Sequence, residues 1–262
     1  MILEFESFNH FFITVVYSTP RMMAVLFSLP FFSQKLLQKL IVNSIVFSFT
    51  LIVIPVVSDT LPKDSTAPLY MIGIITKEVI IGTIMGFLMS IFFKVAENVG
   101  FLIDNQRGAA AGNYIDPLTA EESSPTSSLF NQLVIILFFK SGGLLFLLSL
   151  IYKSYLIWPI FSVFPKLSPD FLKFFLSQLD LMNHYTILYA APFLIILFLT
   201  EFGMGLVNRF TNQLNVFFLS MPIKSGLCSF IIIIYLAVLI NLFDKHLFEI
   251  KTLFYNLKKL MK

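Results

Sequence analysis

Three long apolar runs constrain the fold of this chain more than any other feature of its sequence. The runs 40–58 and 225–243 contain no charged residue, and the run 181–200 is interrupted only by His184. About 20 apolar residues cross the hydrocarbon core of a bilayer, so each run is long enough to span it. Charged residues make up only 13% of the chain, against about 25% in soluble domains. The sequence therefore predicts an all-α, multi-pass membrane protein.

The distribution of charge predicts an orientation in the membrane. The first residues are acidic where a cleavable signal peptide needs positive charge, so the first helix is expected to stay attached. Lys35 and Lys39 place the first loop in the cytoplasm, because basic loops are retained there. The acidic loop 58–68 and the amino terminus then lie outside, and the lysine-rich tail 244–262 lies in the cytoplasm as an amphipathic interfacial helix. The dispersed net charge of +3 argues against a nucleic-acid partner.

Prolines, glycines and charges divide the chain into predicted helices of one membrane domain, 1–262. A segment at about 69–103 would be roughly 50 Å long as a helix, more than a bilayer needs, and Gly82 and Gly86 give it a spacing that lets helices approach closely. The other expected elements are a helix at 8–32 broken at Pro20, a helix at 40–57, two helices in 129–164, a loop at 165–180, two helices in 181–219 joined near 201–215, and a helix at 225–243 after a break at Met221-Pro222.

A polar insert, about 104–128, interrupts this apolar chain. Lipid cannot satisfy polar groups, so such a block must meet water, line a cavity or pack inside protein. Its centre, 108–112, reads Gly-Ala-Ala-Ala-Gly, while Asp116-Pro117 imposes an extended turn. Arg107 can pair with Asp104 or Asp116 and so fix the resting position of the loop. Physical reasoning leaves two interpretations equal: a movable obstruction in a channel, or an ordinary surface loop.

Five further charged residues lie inside apolar segments, where a charge is unfavourable unless it has a partner. They are Arg21, Lys77, Glu78, Glu201 and Arg209. We expect them to pair with one another or with another subunit.

The sequence contains no phosphate-binding loop, zinc-protease helix or nucleophile elbow, and its three histidines have no partner at metal-ligand spacing. No enzyme activity, metal or cofactor is therefore predicted.

The stretch Ile-Asp-Asn-Gln-Arg-Gly at 103–108, the pair Asp116-Pro117 and the segment 123–130 form a distinctive pattern. Together with the Pro20-Arg21 segment and the phenylalanine-rich helices, this pattern resembles one family over essentially the whole chain. That family is the T subunit of the type III secretion export apparatus, the FliR/SpaR/YscT-like proteins. The non-flagellar virulence branch is the better match.

The resemblance implies a non-enzymatic subunit of the bacterial inner membrane. Members of this family sit in a helical complex with the R and S subunits, next to the U and V subunits, and the complex forms the gated entry for secreted protein substrates. Membrane lipid is a further expected partner. Their helices are largely bent hairpins, and the loop after the long hairpin helps to close the pore. Carried over by motif, that role falls on Asp104, Gln106, Arg107, Gly108, Ala109, Ala110, Ala111, Gly112, Asn113, Asp116 and Pro117, where the alanine run is our extension of the motif.

Two other classes of membrane protein are alternatives on the sequence alone. A small-solute transporter or ion channel usually carries inverted repeats with interrupted helices in matching positions, and the sequence shows no such repeat. An intramembrane enzyme would need a set of catalytic residues, which the sequence does not offer. The favoured interpretation is therefore an export-gate subunit that forms part of a protein-conducting channel and its closing loop.

Overall fold

Helices make up the regular structure of this protein. The computed structural model describes residues 2–32, 38–58, 60, 68–108, 124–162, 169–210 and 216–260. Within these ranges the α-helices are α1 (Ile2–Phe27), α2 (Lys39–Leu51), α3 (Ile54–Ser58), α4 (Pro68–Arg107), α5 (Pro125–Lys140), α6 (Gly143–Ile157), α7 (Phe171–Phe210) and α8 (Val216–Leu260), and Pro30–Phe32 forms a 3-10 helix. The predicted all-α fold is confirmed.

Among the described residues, four helices are long and apolar enough to cross a membrane. The candidate spans are His10–Phe27 in α1, Pro68–Arg107, Phe171–Phe210, and Phe218–Phe243 in α8, and α5 with α6 would add a fifth as one broken span. The 40 residues of α4 extend over about 60 Å, twice the roughly 30 Å of a hydrocarbon core. The prediction of an overlong third segment is therefore confirmed, and this helix must tilt or project beyond the hydrocarbon.

The single helix predicted at 40–57 is wrong, because the chain is divided there into α2 and α3, and α2 is too short to count among the candidate spans. Three predicted interruptions are also wrong. Helix α1 continues through Pro20, and α8 continues through Pro222. Each proline removes one helical hydrogen bond, but ending the helix in apolar surroundings would leave several backbone groups unsatisfied at once. Residues 165–180 were expected to form a loop, yet α7 begins at Phe171. Asp170 precedes it, a residue type that favours helix starts, and its carbonyl accepts a hydrogen bond from the Phe174 amide at 2.9 Å.

The structure also gives closer bounds for two predicted junctions between helices. Helix α7 continues through Glu201 to Phe210, so the junction predicted at 201–215 is narrowed to 211–215, outside the described residues. The two helices predicted in 129–164 are α5 and α6, separated by Ser141 and Gly142, and Gly142 has a left-handed φ of +72°. The tail from residue 244 continues α8 as a helix, and its amphipathic character stays a prediction.

The chain divides into two compact units, residues 1–91, 142–175 and 250–262 in the first and residues 92–141 and 176–249 in the second. The single domain expected over 1–262 stays a prediction. In the first unit α1 packs against α2 and α3 and meets α4 at two glycines. A Cβ added at Gly82 would lie 2.7 Å from the Ala24 Cβ, and one added at Gly86 would lie 2.6 Å from the Ser28 Oγ. The close helix approach predicted from this spacing is confirmed.

Aromatic side chains form much of the core of the second unit. The ring of Phe193 on α7 lies edge-on to Tyr235 on α8, with centroids 5.5 Å apart. Phe243 on α8 contacts both Phe92 on α4, at 5.8 Å, and Tyr189 on α7, at 5.5 Å. Such edge-to-face pairs contribute about 0.5–1.5 kcal/mol beyond the area that they bury. They hold the second half of α4 against α7 and α8.

Replacing Gly82 by alanine should destabilise the protein, because the new methyl group would overlap α1. We expect the free energy of unfolding to fall by about 1–3 kcal/mol, the usual effect of overpacking, as measured by thermal unfolding in detergent. Gly73 on the same helix is the matched control, since nothing lies within 4 Å of a Cβ added there. Gly73→Ala should be neutral or stabilising by up to about 1 kcal/mol. Equal effects of the two substitutions would contradict the close contact between α1 and α4.

Candidate functional site

The first candidate site is a charge cluster in the first unit. Arg21 on α1 and Glu78 on α4 are both fully buried. Two parallel hydrogen bonds join them, from Nε to Oε2 at 2.7 Å and from Nη2 to Oε1 at 3.0 Å. The same guanidinium donates from Nη1 to the Ser154 Oγ at 3.1 Å and from Nη2 to the Trp158 carbonyl at 2.8 Å. One side chain therefore ties α1 and α4 to the end of α6.

Lys77 is the neighbour of Glu78 and reaches the residues that follow α6. Its Nζ lies 3.3 Å from the Glu78 Oε1 and donates to the carbonyls of Pro159 at 3.4 Å, Ser162 at 2.9 Å, and Ile160. Carbonyls at the end of a helix lack intrahelical partners, and a cation is favourable beside them. Arg21 therefore satisfies the Trp158 carbonyl at the carboxyl end of α6, and Lys77 satisfies carbonyls of the residues that follow it.

The face of the Arg21 guanidinium is covered by an aromatic ring. Its Cζ lies 4.4 Å from the centroid of Tyr155, a geometry in which the ring quadrupole attracts the cation. The Tyr155 hydroxyl donates to the Ser18 carbonyl at 2.7 Å, in the turn that precedes Pro20. Arg21 and Glu78 are thus enclosed and have partners within one unit, so the cluster is suited to holding helices together.

The second candidate site is the base of the polar insert, in the second unit. Asp104, in the last turn of α4, is buried. Its Oδ2 accepts hydrogen bonds from the Ser124 hydroxyl at 2.5 Å and from the Thr126 backbone amide at 2.9 Å. Ser124 is the N-cap of α5 and accepts from the Ser127 amide. One carboxylate therefore joins the two helix ends that flank residues 109–123.

Backbone packing reinforces this junction. A Cβ added at Gly100 would collide with the backbone of Ser127, so the close approach of α4 and α5 requires a glycine there. The Ser127 hydroxyl also donates to the Glu97 carbonyl at 2.7 Å. The base of the insert is thus fixed by two helices that touch over more than one turn of α4.

The last turn of α4 has two further polar partners. The Arg107 Nη2 lies 2.8 Å from the Asp104 Oδ1 and forms an ion pair with it, without the alignment that a hydrogen bond requires. Of the two partners expected for Arg107, the structure places Asp104 beside it. The Gln106 carbonyl accepts a hydrogen bond from the Lys224 Nζ on α8 at 3.4 Å, and Lys224 pairs with Glu201 on α7 at 3.0 Å.

Of the remaining predicted site residues, Glu201 reaches the second site through Lys224. Arg209 is exposed on α7, and Glu201 is exposed apart from its contact with Lys224, so neither is a buried charge within this chain. Their helix face is simply not covered by other parts of the described chain. Gly108 follows α4 with a φ of +83°. The remaining members of the predicted loop, Ala109, Ala110, Ala111, Gly112, Asn113, Asp116 and Pro117, lie outside the described residues.

Sequence reasoning missed Ser124, Thr126 and Lys224. The pair Ser124-Pro125 carries a usable signal, since serine is a favoured N-cap and proline a favoured first helical residue. With that signal, the carboxyl end of the predicted insert would have been placed at Ser124 instead of about residue 128. Lys224 carries no such signal, because it stands beside Pro222, where a helix break was expected.

The contacts of both sites are suited to holding helices in place. Among the residues that the structure describes, no three His, Cys, Asp or Glu side chains come together as a metal site. What the two clusters supply are ion pairs and hydrogen bonds between helix ends. Each cluster therefore fixes the positions of the helices that it joins.

Known proteins with similar sequences are bacterial export components. The sequence profile of the family described as "Bacterial export proteins, family 1" matches residues 12–250. The chain is 41% identical over 219 residues to the Yop proteins translocation protein T of Yersinia pestis, covering 82% of this chain and 83% of that protein. It is 38% identical over 158 residues to the surface presentation of antigens protein SpaR of Shigella flexneri, covering 60% of each. It is 27% identical over 204 residues to the flagellar biosynthetic protein FliR of Pectobacterium carotovorum, covering 78% and 76%.

Removing one member of the Arg21–Glu78 pair should be more harmful than removing both. Arg21→Met or Glu78→Met leaves a buried charge without its main partner, and we expect the free energy of unfolding to fall by about 3–5 kcal/mol. The double variant removes both charges and should recover part of that loss. Thermal unfolding in detergent, with the yield of folded protein, measures the difference.

The Lys173–Asp170 pair is the matched control for this cycle. Its side chains are 84% and 71% exposed and 3.7 Å apart, so breaking it should change the free energy of unfolding by less than about 1 kcal/mol. If the Arg21 and Glu78 substitutions are additive, the two residues are not energetically coupled, and the buried pair does not organise the first unit.

Proposed function

Because the chain belongs to the bacterial export proteins, family 1, the family of the T subunit of type III secretion export apparatuses, we propose that it forms part of a protein-conducting channel. Its closing loop is the part of the predicted insert, about 104–128, that lies between α4 and α5. The protein is a multi-pass component of the export apparatus in the bacterial inner membrane. The observation that carries the loop assignment is the buried junction of Asp104 with Ser124 and Thr126.

The Asp104 junction supports a closing loop because it fixes the base of an insert whose central residues are small. A buried carboxylate is unfavourable unless it is paired and hydrogen-bonded, as Asp104 is by Arg107, Ser124 and Thr126, and an ordinary surface loop needs no such group at its base. The junction draws together the two ends of 109–123. The small residues 108–112 can then be displaced while α4 and α5 stay folded. A loop that closes a channel needs both a fixed base and a centre that can be displaced.

The apolar faces of α7 and α8 support a position inside a larger assembly. In the apolar window of α4, 61% of the residues are buried within the chain, but only 17% are in the windows of α7 and of α8. Phe202, Phe210 and Phe230 are among the large side chains left exposed. Apolar surface of this extent requires a covering of lipid or protein. We assign that covering to the R and S subunits and to membrane lipid, with the U and V subunits nearby.

The similarity values favour the virulence-associated branch of the family over the flagellar one. Identity is 41% to the Yersinia protein and 38% to the Shigella protein, but 27% to the flagellar protein of Pectobacterium. Secreted proteins are then the substrates that pass through the channel, and the subunit itself is not an enzyme. Family membership gives no support to a small-solute transporter or ion channel.

Shortening the insert should make the closed channel leak. We expect deletion of 109–112 to raise the ion permeability of cells that carry the assembled apparatus, while protein secretion persists, because sealing and conducting are separate tasks. Ala110→Trp should also disturb closure, since an indole has far more volume than the methyl group it replaces. Dye uptake or conductance measures the leak, and secreted protein in the medium measures transport.

Two pairs of variants control this test. Ala67→Trp puts the same ring into the acidic loop before α4 and should leave permeability unchanged. Asp104→Ala frees both ends of the insert and should leak, whereas Asp170→Ala removes an exposed carboxylate and should not. If the 109–112 deletion leaves permeability unchanged in a complex shown to be assembled, the insert is only a connector.

The distribution of lysines and acids supports a cytoplasmic carboxyl tail and an external amino terminus. Alkaline phosphatase needs disulfides and is therefore active only outside the reducing cytoplasm. Fused after Lys262 it should be inactive, whereas inserted at Asp64, in the acidic loop, it should be active. Whole-cell phosphatase assays of the two fusions check the orientation, and the reverse pattern of activities would invert it.

A further inference from the structure

Lys224 is a buried cation that contacts the base of the insert from a third helix. Its side chain is only 7% exposed. The ammonium group lies 3.0 Å from the Glu201 Oε2 on α7 and 3.4 Å from the carbonyl oxygen of Gln106, in the last turn of α4. A single group therefore connects α8, on which it stands, with α7 and with the end of α4.

The Gln106 carbonyl is more than an incidental neighbour of this cation. The Glu201 side chain is 51% exposed, and exposed ion pairs hold little free energy. A buried ammonium needs further acceptors, and the last carbonyls of a helix are well suited because they lack intrahelical partners and lie at the negative end of the helix dipole. The contact with Gln106 therefore satisfies both the cation and the end of α4.

Two neighbours of Lys224 on α8 meet the same end of α4. Met221, one turn earlier, would lie 3.3 Å from a Cβ added at Gly108. Cys228, one turn later, is fully buried and its thiol interacts with Arg107. Residues three and four apart share one face of a helix, so one face of α8 covers Gln106, Arg107 and Gly108.

We propose that Lys224 is a positioning residue for the closing loop, because its ammonium group latches the base of the insert to α7 and α8. The proposal rests on the proposed function of the insert and adds an attachment separate from the Asp104 junction. Removing the ammonium should let the last turn of α4 leave α8 while α4 and α5 stay joined through Asp104. Loss of the latch therefore shifts the insert as a whole and does not unfold its base.

The native cysteine provides a reporter of this contact that does not depend on permeability. Cys228 is the single cysteine of the chain, and it is covered in the latched state. In the assembled apparatus, Lys224→Met should raise the rate of Cys228 alkylation by a small maleimide about tenfold, as expected when one charged hydrogen bond is lost. The same cells should show increased ion permeability. Lys173→Met, which removes an exposed lysine, should change neither.

Variants of Glu201 separate the latch from a simple ion pair between α7 and α8. Glu201→Gln keeps the bond from Lys224 to Gln106 and should speed alkylation less than Lys224→Met does. It also serves as the test variant if Lys224→Met fails to assemble, because alkylation should still rise above the wild-type rate. The exchange Glu201→Lys with Lys224→Glu restores an ion pair but puts a carboxylate against the Gln106 carbonyl, so alkylation should remain fast.

The outcomes distinguish the proposed role of Lys224 from the proposed function of the insert. A wild-type rate of Cys228 alkylation in assembled Lys224→Met complexes would overturn the latch, even where deletion of 109–112 leaks. Restoration of the slow rate by the charge exchange would overturn it as well, since the ion pair alone would then account for the contact. If Cys228 of the Lys224→Met protein is alkylated fast but deletion of 109–112 does not raise permeability, the attachment of α4 by Lys224 is supported and the proposed function of the insert is rejected.

Discussion

A guanidinium group removed from water has to find its acceptors inside the protein, and in the first unit this requirement sets the arrangement of three helices. Arg21 finds its acceptors on Glu78 of α4 and on Ser154 and Trp158 around the end of α6. A shift of any of these helices along α1 would separate a charge from its partner, which is strongly unfavourable in a low-dielectric interior. Gly82, one of the two glycines at which α4 meets α1, lies one turn after Glu78. The same stretch of α4 therefore supplies the carboxylate of Glu78 and, through the missing side chain at Gly82, allows α1 to come close enough for Arg21 to bind it.

The two units use buried charge in complementary ways. In the first, Arg21 satisfies the Trp158 carbonyl at the carboxyl end of α6, and in the second Asp104 satisfies an amide and the N-cap hydroxyl at the amino end of α5. Each charge has the sign that the helix dipole favours at that end. Helix ends are the part of a helical membrane protein that lipid leaves unsatisfied. Placing charged side chains there allows short connections to be buried, and it also defines where helices begin and end.

The sequence predicted the helical fold but placed several helix boundaries wrongly and missed contacts that depend on neighbours. The apolar runs and the Gly82/Gly86 spacing are local, so the helices and a close helix contact at α4 follow from them, whereas the identity of α1 as the partner does not. The same reasoning identified Arg21 and Glu78 as charges in need of partners. It failed at Lys224, because an expected break at Pro222 placed that lysine in a loop, where it would be hydrated. The pairing expected for Arg209 with another subunit stays a prediction, because its face of α7 is exposed in this chain.

The contact between Gly100 and Ser127 has a consequence for how far the insert can reach. Because the end of α4 and the start of α5 touch there, the two described residues that flank 109–123 belong to one junction. A segment of that length has a fully extended contour of roughly 50 Å, and a segment whose two ends meet reaches at most half its contour from them. Its residues therefore lie within about 25 Å of the junction. Under the proposed function, the opening that the segment closes must lie within the same distance.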